Sequence, residues 1–410
     1  MKRRVVVTGV GALSPLGHDW TTVEASLRSG RNAVQRIAEW GAYEGLNTQV
    51  GARAQAFELP ADRYNRKTMR SMGRVAVMAT RASELALIDA GLDGDPLVKS
   101  GRMGISYGSS SGTPSAIGDF GRMMADKSTE GINATTYIKM MAHTAAVNIG
   151  VFLGLTGRII TTTSACTSGS QGIGYAFEAI QSGRQVAMLA GGAEELDATQ
   201  AAVFDTLFAT SVKYNDDAPH TPRPFDEARD GLVLGEGACT LVLEEYEHAK
   251  ARGARIYAEL IGFGTNSDGA HVTHPQSETM AQAIRLALAD AGVQPADIPY
   301  VNAHGTATDQ GDVAETQATH SVFGSKVAIS SLKSYMGHTL GACGALEAWM
   351  TIEMMRGGWF SPTLNLTRLD PRCGELDYVV GAGRELQTEF VMSNNFAFGG
   401  INTSLVFRRV

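Results

Sequence analysis

The chain has 410 residues, which is typical of two or three domain-sized units. Hydrophobic residues make up 44% and charged residues 19% of the sequence, the balance expected of a soluble globular protein. The net charge of −7 argues against nucleic acid as the main partner. No apolar run approaches the roughly 18 residues needed to cross a bilayer, so we predict no membrane span.

Short apolar runs alternate with helical patterns along the whole chain, which predicts an α/β fold with buried, largely parallel strands. In the first part, strands are predicted over 4–9, 102–108 and 186–190, and helices over 74–91 and from Cys166 to Gly183. In the second part, strands are predicted over 256–262, 300–303, 327–330, 391–394 and 404–407, and helices over 278–291 and about 341–355. Each part opens on a strand that enters a Gly-x-Gly turn, so we expect two similar halves.

Four cysteines are spread through the chain: Cys166, Cys239, Cys343 and Cys373. None belongs to a Cys-x-x-Cys pair, so neither a zinc site nor a redox motif is expected. This usage is typical of a reducing compartment, and we predict a cytoplasmic protein.

Cys166 differs from the other cysteines in its surroundings. It follows a β-branched stretch, opens a predicted helix and is flanked by small residues that let a substrate approach. Most cysteines are buried packing residues, and Cys239 and Cys343 have the context of such residues. The unpaired N–H groups and the dipole of a helix N-terminus favour a thiolate, so we predict that Cys166 is a nucleophile with a lowered pKa.

Two histidines, His304 and His338, lie at the end of a predicted strand or before a predicted helix, each beside glycine. A cysteine with two separated histidines is an arrangement used for acyl transfer. No His-x-x-x-His spacing occurs, so no metal site is predicted. Gly9 and Gly11 follow a strand, but the third glycine of a dinucleotide fingerprint is missing at the required spacing.

Six stretches together resemble the β-ketoacyl-acyl carrier protein synthases of the elongating type, which belong to the thiolase-like condensing enzymes. These stretches are 163–169, 190–194, 224–231, 302–306, 332–338 and 394–402, and the resemblance extends from Arg4 to Phe407. It implies a thiolase-like duplicated α-β-α-β-α five-layer sandwich. The half over 1–254 would carry the nucleophilic cysteine, and the half over 255–410 would carry both histidines.

The resemblance also implies the reaction. Cys166 would accept an acyl chain from the phosphopantetheine arm of an acyl carrier protein, and no cofactor would be bound by the chain itself. Decarboxylation of a malonyl group on a second carrier would then yield a carbanion that attacks this thioester and adds two carbons. His304 and His338 would stabilise the developing charge. We also expect a homodimer, or a heterodimer with a chain-length-factor-like subunit.

Further site residues follow only from the resemblance. Lys333 and Glu347 would support the histidines together with the buried acids Asp312 and Glu315, and the backbone N–H groups of Cys166 and Phe398 would bind an oxyanion. Phe398 would also separate the acyl pocket from the malonyl site. The remaining assignments are Thr306, Thr308, Ser111, Phe396, Phe204 and His271 for substrate binding, and Arg63, Arg66, Lys67, Arg70 and Arg74 for carrier-protein docking.

Two departures from the family pattern bear on specificity. Phe208 stands where an arginine often helps carrier docking, and Ser111 stands where a larger isoleucine often closes the acyl pocket. The smaller side chain predicts a deeper pocket for long or unsaturated chains. The pathway stays open between primary fatty-acid elongation and a specialised route such as aryl-polyene synthesis.

The alternatives are two other proteins of this fold. A non-catalytic chain-length-factor-like subunit usually lacks the nucleophile, which Cys166 argues against. A biosynthetic thiolase pairs its cysteine with one histidine and a second cysteine in different motifs, and an initiating ketosynthase has asparagine in place of the second histidine.

Overall fold

The computed structural model describes residues 2–410. Its helices are α1 (Trp20–Arg28), α2 (Arg74–Asp89), α3 (Pro96–Lys99), α4 (Pro114–Asp126), α5 (Ala134–Met140), α6 (Thr144–Leu153), α7 (Ser168–Gln181), α8 (Ala198–Thr206), α9 (Tyr246–Ala251), α10 (Ser277–Ala291), α11 (Asp309–Phe323), α12 (Lys333–Met336) and α13 (Cys343–Gly357). Its strands are β1 (Val5–Leu13), β2 (Gln35–Arg36), β3 (Val50–Ala52), β4 (Met103–Gly108), β5 (Ile159–Thr161), β6 (Ala187–Glu194), β7 (Leu234–Gly235), β8 (Gly237–Glu245), β9 (Ala258–Ser267), β10 (Tyr300–Asn302), β11 (Ala328–Ser330), β12 (Trp359–Phe360), β13 (Asp377–Tyr378), β14 (Arg384–Glu385), β15 (Phe390–Ala397) and β16 (Ile401–Arg408).

The main sheet contains the same five-stranded arrangement twice. The first copy has the order β5-β4-β6-β8-β1, and the second has the order β11-β10-β15-β16-β9. In each copy the first three strands are parallel and the last two join antiparallel. A short antiparallel contact between β1 and β9 connects the copies. The predicted duplication is therefore present in the topology.

Helices form three layers around these strands. Helices α7 and α13 pack against each other and contact strands of both copies, so they form the central layer. Helices α2 and α6 cover the outer face of the first copy, and α10 and α11 cover that of the second. Almost every residue of α7 and α13 is buried, which is typical of a helix at the centre of a large protein. The predicted thiolase-like five-layer sandwich is confirmed.

The predicted elements match the observed ones in type, and several bounds differ. The helix predicted over about 341–355 begins at Cys343 and ends at Gly357. The strand predicted over 391–394 extends to Ala397 and forms a hairpin with β16. Its apolar pattern stops at Asn394 and Asn395, but both asparagines are buried within the sheet, so an apolar run alone underestimates the strand.

The predicted division at 254/255 falls between α9 and β9 and stays a prediction. Over residues 2–410, the structure contains no helix that is both long enough and apolar enough to cross a membrane.

Candidate active site

The duplicated topology places two equivalent turns side by side at the centre of the molecule. One turn leads from β5 into α7 and carries Cys166, and the other leads from β11 towards α13 and carries His338. Each contains a short 3-10 helix whose first residue has a positive φ, 49° at Ala165 and 44° at Leu340. The turns are in contact, and Cys166 Sγ lies 3.0 Å from His338 Nε2.

His304 completes a group of three buried side chains. It follows the end of β10, and its ring centroid lies 5.1 Å from that of His338 with the ring planes nearly perpendicular. The exposed fractions of Cys166, His304 and His338 are 3%, 7% and 2%. The structure therefore brings together the three residues that the sequence singled out.

Lys333 connects the histidines to a buried carboxylate. Its Nζ lies 3.3 Å from His304 Nδ1 and forms an ion pair with Glu347, and Asn395 donates to the other oxygen of Glu347 at 2.7 Å. Because an ammonium is only a donor, Nδ1 of His304 accepts and the ring proton is on Nε2. Burial and the Lys333 charge hold the pKa values of His304 and His338 well below the usual range, so both rings are neutral at pH 7.

Two buried acids hold the backbone that carries His304. Glu315 accepts from the N–H groups of His304 and Gly305 at 2.6 Å each, and Asp312 accepts from Ala307 at 3.0 Å. Burial raises the pKa of Glu315 to about 8 and that of Asp312 to about 6. Both acids act on the position of the loop after β10, since their oxygens face backbone N–H groups.

The environment of Cys166 corrects the expectation of a lowered pKa. Burial raises the pKa of the thiol to about 11, although the Lys333 charge and the Phe398 N–H group act in the opposite direction. Helix α7 begins at Ser168, so the thiol lies in the preceding turn and not at the first helical position. The loss of hydration outweighs the expected effect of the helix N-terminus.

A cavity of about 350 Å³ opens onto the thiol. The predicted site residues that line it are Cys166, His304, His338, Phe398, Phe396, Phe204, Thr306, Thr308 and His271. The rings of Phe204 and Phe398 pack with centroids 5.1 Å apart, and the hydroxyls of Thr306 and Thr308 lie 2.9 Å apart. The cavity thus has aromatic walls and a polar edge beside the histidines.

Known proteins share both the sequence pattern and the fold. A family profile described as "Beta-ketoacyl synthase, N-terminal domain" matches residues 2–249, and its C-terminal counterpart matches residues 257–367. The chain belongs to the β-ketoacyl synthase family. The resemblance to elongating β-ketoacyl synthases is therefore confirmed, and the chain is a catalytic ketosynthase.

Similar proteins cover the whole chain. The 3-oxoacyl-[acyl-carrier-protein] synthase 1 of Haemophilus influenzae is 36% identical, with 99% of each chain covered. Synthase 2 of Synechocystis is 37% identical, with 100% of this chain and 98% of that protein covered. A crystal structure of a β-ketoacyl synthase from Burkholderia phymatum is 60% identical with a TM-score of 0.98, and a solved structure of the ishigamide ketosynthase/chain length factor is 33% identical with a TM-score of 0.90. Both cover 100% of the two chains.

Ser111 does not line the cavity that opens onto the thiol, within the described residues. Its hydroxyl donates to Glu194 at 3.2 Å and accepts from Gln200 at 2.9 Å. These bonds hold the side chain in a polar cluster, so the structure does not support Ser111 as the floor of this cavity.

The predicted docking cluster is divided by internal ion pairs. Arg63 pairs with Glu84 at 2.7 Å, and Arg74 binds both oxygens of the buried Glu236. These two arginines are held by carboxylates of the same chain, but their side chains are 33% and 48% exposed, so their role in docking stays a prediction. The other three basic residues of the cluster, Arg66, Lys67 and Arg70, are exposed.

Asn395 and Glu194 also hold the site together, and neither was among the site residues predicted from the sequence. Asn395 binds the carboxylate of Glu347, as described above. Glu194 accepts from Ser109, from the Ser110 N–H and from the Gly341 N–H at 2.7–3.1 Å, and so ties the ends of β4 and β6 to the turn before α13. An acid at the end of an otherwise apolar strand was the signal for Glu194, but its partners are distant in sequence.

The same geometry bears on metal binding. The ligand atoms of Cys166, His304 and His338 all lie within 4.8 Å of one another, a spacing that a metal ion also accepts. The Lys333 ammonium beside His304 opposes a second cation there. That the active site binds no metal stays a prediction.

Proposed function

We propose that this ketosynthase performs a decarboxylative Claisen condensation between malonyl-acyl carrier protein and an acyl thioester on Cys166, and so lengthens the acyl chain by two carbons. The observation that carries the proposal is the 3.0 Å contact between Cys166 Sγ and His338 Nε2, with His304 beside it and the cavity open above it.

The first step is acyl transfer to Cys166. The thiol sulfur attacks the carbonyl carbon of an acyl-carrier thioester while His338 Nε2 takes the thiol proton. The carrier sulfur then leaves as a thiolate and takes a proton from solvent, so His338 keeps the thiol proton on Nε2. A covalent thioester divides one difficult reaction into two easier ones. Because the pKa of Cys166 is raised, the thiol is protonated at neutral pH, and the neutral ring of His338 is the base that accepts its proton.

The backbone supplies donors for the tetrahedral intermediate of this step. The N–H groups of Cys166 and Phe398 both lower the pKa of the thiol, and we infer that they face the sulfur and are within reach of an oxyanion formed on a carbonyl attached there. Removing one such donor typically costs roughly 3–4 kcal/mol of transition-state stabilisation. The turn of Gly399 and Gly400, both with positive φ, holds Phe398 in this orientation.

The second step is decarboxylation of the malonyl group. As carbon dioxide leaves, the bond electrons form an enolate whose negative oxygen accepts from Nε2–H of His304 and His338. Lys333 keeps the His304 proton on Nε2, which makes Lys333 a positioning residue in this scheme. The enolate carbon attacks the Cys166 thioester, the Cys166 thiolate leaves and takes its proton back from Nε2 of His338, and the β-ketoacyl product remains on the carrier.

The same proposal covers substrate and partners. The phosphopantetheine arm of the acyl carrier protein enters past Thr306 and Thr308 as part of the substrate, and Phe398 separates the acyl and malonyl positions. We infer a homodimer in the cytoplasm, with a chain-length-factor-like subunit as the alternative partner. Aryl-polyene or other specialised synthesis remains the proposed pathway beside primary elongation.

Intact mass spectrometry tests this function. After incubation with acyl-carrier proteins of different chain length, the wild type gains the mass of one acyl group, and Cys166→Ala does not. Cys373→Ala is the matched control, because that cysteine lies outside the cavity lining. His304→Ala is expected to keep the adduct while malonyl decarboxylation falls about 10²–10³-fold. An adduct that persists in Cys166→Ala, or no adduct from any donor, would exclude the proposed chemistry.

A further inference from the structure

An exposed apolar group borders the entrance of the cavity. We call it the apolar rim: Val203, Leu207, Phe208 and Val272, which are 58%, 45%, 92% and 66% exposed. Leu207, Phe208 and Val272 also line the cavity, and Val203 lies one helical turn before Leu207 on α8. Contiguous exposed apolar side chains on a soluble protein mark a binding surface more often than chance.

Phe208 has a left-handed backbone conformation that is unusual for an aromatic residue. Phe208 has φ 54° and follows the end of α8, where its N–H donates to Asp205 O at 2.9 Å and the Ala209 N–H donates to Phe204 O at 3.0 Å. This pair of bonds is the Schellman ending of a helix, and its left-handed residue is usually glycine or asparagine. A phenylalanine there adds backbone strain and leaves its ring in water.

The turn that holds Phe208 is well anchored. The Asp205 carboxylate accepts from the Asn47 N–H and from the Thr210 hydroxyl at 2.8 Å each. The Phe208 ring therefore projects from a turn that hydrogen bonds already hold in place, and little further ordering of this backbone is needed when a partner covers the ring. Such pre-ordered aromatic side chains are the usual anchors of protein interfaces.

The lining of this entrance carries, within residues 2–410, no basic side chain other than histidine. Among the described residues that line the cavity there is no lysine or arginine, whereas Asp268 and Asp309 are present. An anionic partner surface gains no ion pair from these lining residues, and an apolar one gains contact with the rim.

We propose that the acyl carrier protein docks on the apolar rim through an apolar helix face next to the serine that bears its arm. This inference rests on the proposed function, because the arm of a carrier must reach Cys166 through this cavity. The rim is continuous with the cavity wall, so a protein seated on it delivers the arm directly to the thiol. Phe208 is the central anchor of this contact.

The test compares two donors of the same acyl group. The acylation rate of Cys166 is measured against the concentration of hexanoyl-acyl carrier protein and, separately, of the carrier-free hexanoyl N-acetylcysteamine thioester. Phe208→Asn suits the left-handed turn and removes the ring. We expect it to raise the half-saturating concentration for the carrier-bound donor about tenfold relative to that for the carrier-free donor, and Val272→Ser to act in the same direction.

Ile88→Gln is the matched control, since Ile88 is 50% exposed on α2 and lies outside the cavity lining; its ratio of the two constants should equal that of the wild type. Because the contact of Phe208 is apolar, the effect of Phe208→Asn on the constant for the carrier should change less than twofold when sodium chloride is raised from about 50 to 500 mM, whereas the effect of losing an ion pair would shrink steeply over this range. An unchanged ratio in Phe208→Asn, an equal loss with both donors, or a steep salt dependence of this effect would each overturn the proposal.

The experiment distinguishes a failure of the proposed function from a failure of the proposed docking surface. If the wild type forms no Cys166 adduct from either donor, the proposed function fails. If the wild type forms the adduct and Phe208→Asn keeps the wild-type ratio, only the docking surface is wrong.

Discussion

The position of the His304 ring proton is set by Lys333 and the residues that hold Lys333 in place. The Lys333 ammonium points at His304 Nδ1, which leaves the ring proton on Nε2, towards the cavity. Glu347 balances the Lys333 charge, and Asn395 holds Glu347 from the other side. Such a buried ion pair is stable only while each member keeps its partners. The arrangement therefore combines two imidazoles that are neutral at rest with a fixed positive charge behind them.

The raised pKa of the Cys166 thiol predicts how its rate of alkylation depends on pH. Its pKa of about 11 means that the acid form dominates through neutral pH and that the thiolate fraction grows about tenfold per pH unit up to that value. The rate of alkylation by iodoacetamide should thus rise steadily from pH 7 to 10 without a plateau. Free cysteine, with a pKa of about 8.5, should level off near pH 9 in the same buffers.

Mass spectrometry of the peptide that contains Cys166 measures this rate without interference from the other three cysteines. A plateau below pH 8 would contradict the prediction, because it would mean that Cys166 and His338 already form a thiolate–imidazolium pair at rest.

At the scale of elements, the geometry of the active site depends on the close contact between the N-terminal ends of α7 and α13. A Cβ placed on Gly344 would lie 2.5 Å from the Ser170 N atom, and one on Gly169 would lie 2.9 Å from the Gly341 O atom. Glycine at these positions lets the two helix starts approach, and this approach sets the distance between Cys166 and His338.

Gly344→Ala is therefore expected to separate the two helix starts. Overpacking of this kind typically costs about 1–3 kcal/mol of unfolding free energy, and a displacement of about 1 Å in the reacting groups costs roughly 10²-fold in rate. Urea unfolding and the rate of Cys166 acylation measure the two effects.

Gly357→Ala is the matched control in the same helix, since a Cβ there meets nothing within 4 Å. It should stabilise the protein by about 0.5–1 kcal/mol through helix propensity and leave acylation unchanged. Equal behaviour of the two variants would show that the contact between the helix starts does not matter.

At the scale of the whole molecule, the two copies of the fold share one central layer. Helix α7 belongs to the first copy but also packs on β9 and β16, and α13 belongs to the second but also packs on β6 and β8. Cys166 comes from one copy and both histidines from the other. Neither the layer nor the active site is complete within one half.

We therefore predict that the proposed halves 1–254 and 255–410 do not fold separately. Each alone exposes one face of its central helix, and it should be insoluble or unfold without cooperativity. Co-expression of both should restore a soluble complex that forms the Cys166 adduct. Circular dichroism during urea titration measures cooperativity, and a fragment 1–254 that unfolds cooperatively by itself would refute the prediction.

Several features could be predicted from short stretches of the chain. Strand and helix types follow from apolar spacing, and Cys166, His304 and His338 each stand among small residues at the end of an element. Their meeting followed from the resemblance, because these stretches are far apart in sequence. The length of β15 was underestimated since buried asparagines look polar in a sequence.

The amino-acid pattern alone was enough for the α/β class, the duplication and the three central side chains, because these depend on local periodicity and on motifs that keep their order. The tertiary structure decided the pKa of Cys166, the pairing of Arg63 and Arg74 with internal acids, the hydrogen bonds of Ser111 with Glu194 and Gln200, and the exposure of Phe208. Each of these depends on burial and on partners distant in the chain, and the free energy of a charge or a ring is set by what surrounds it in space.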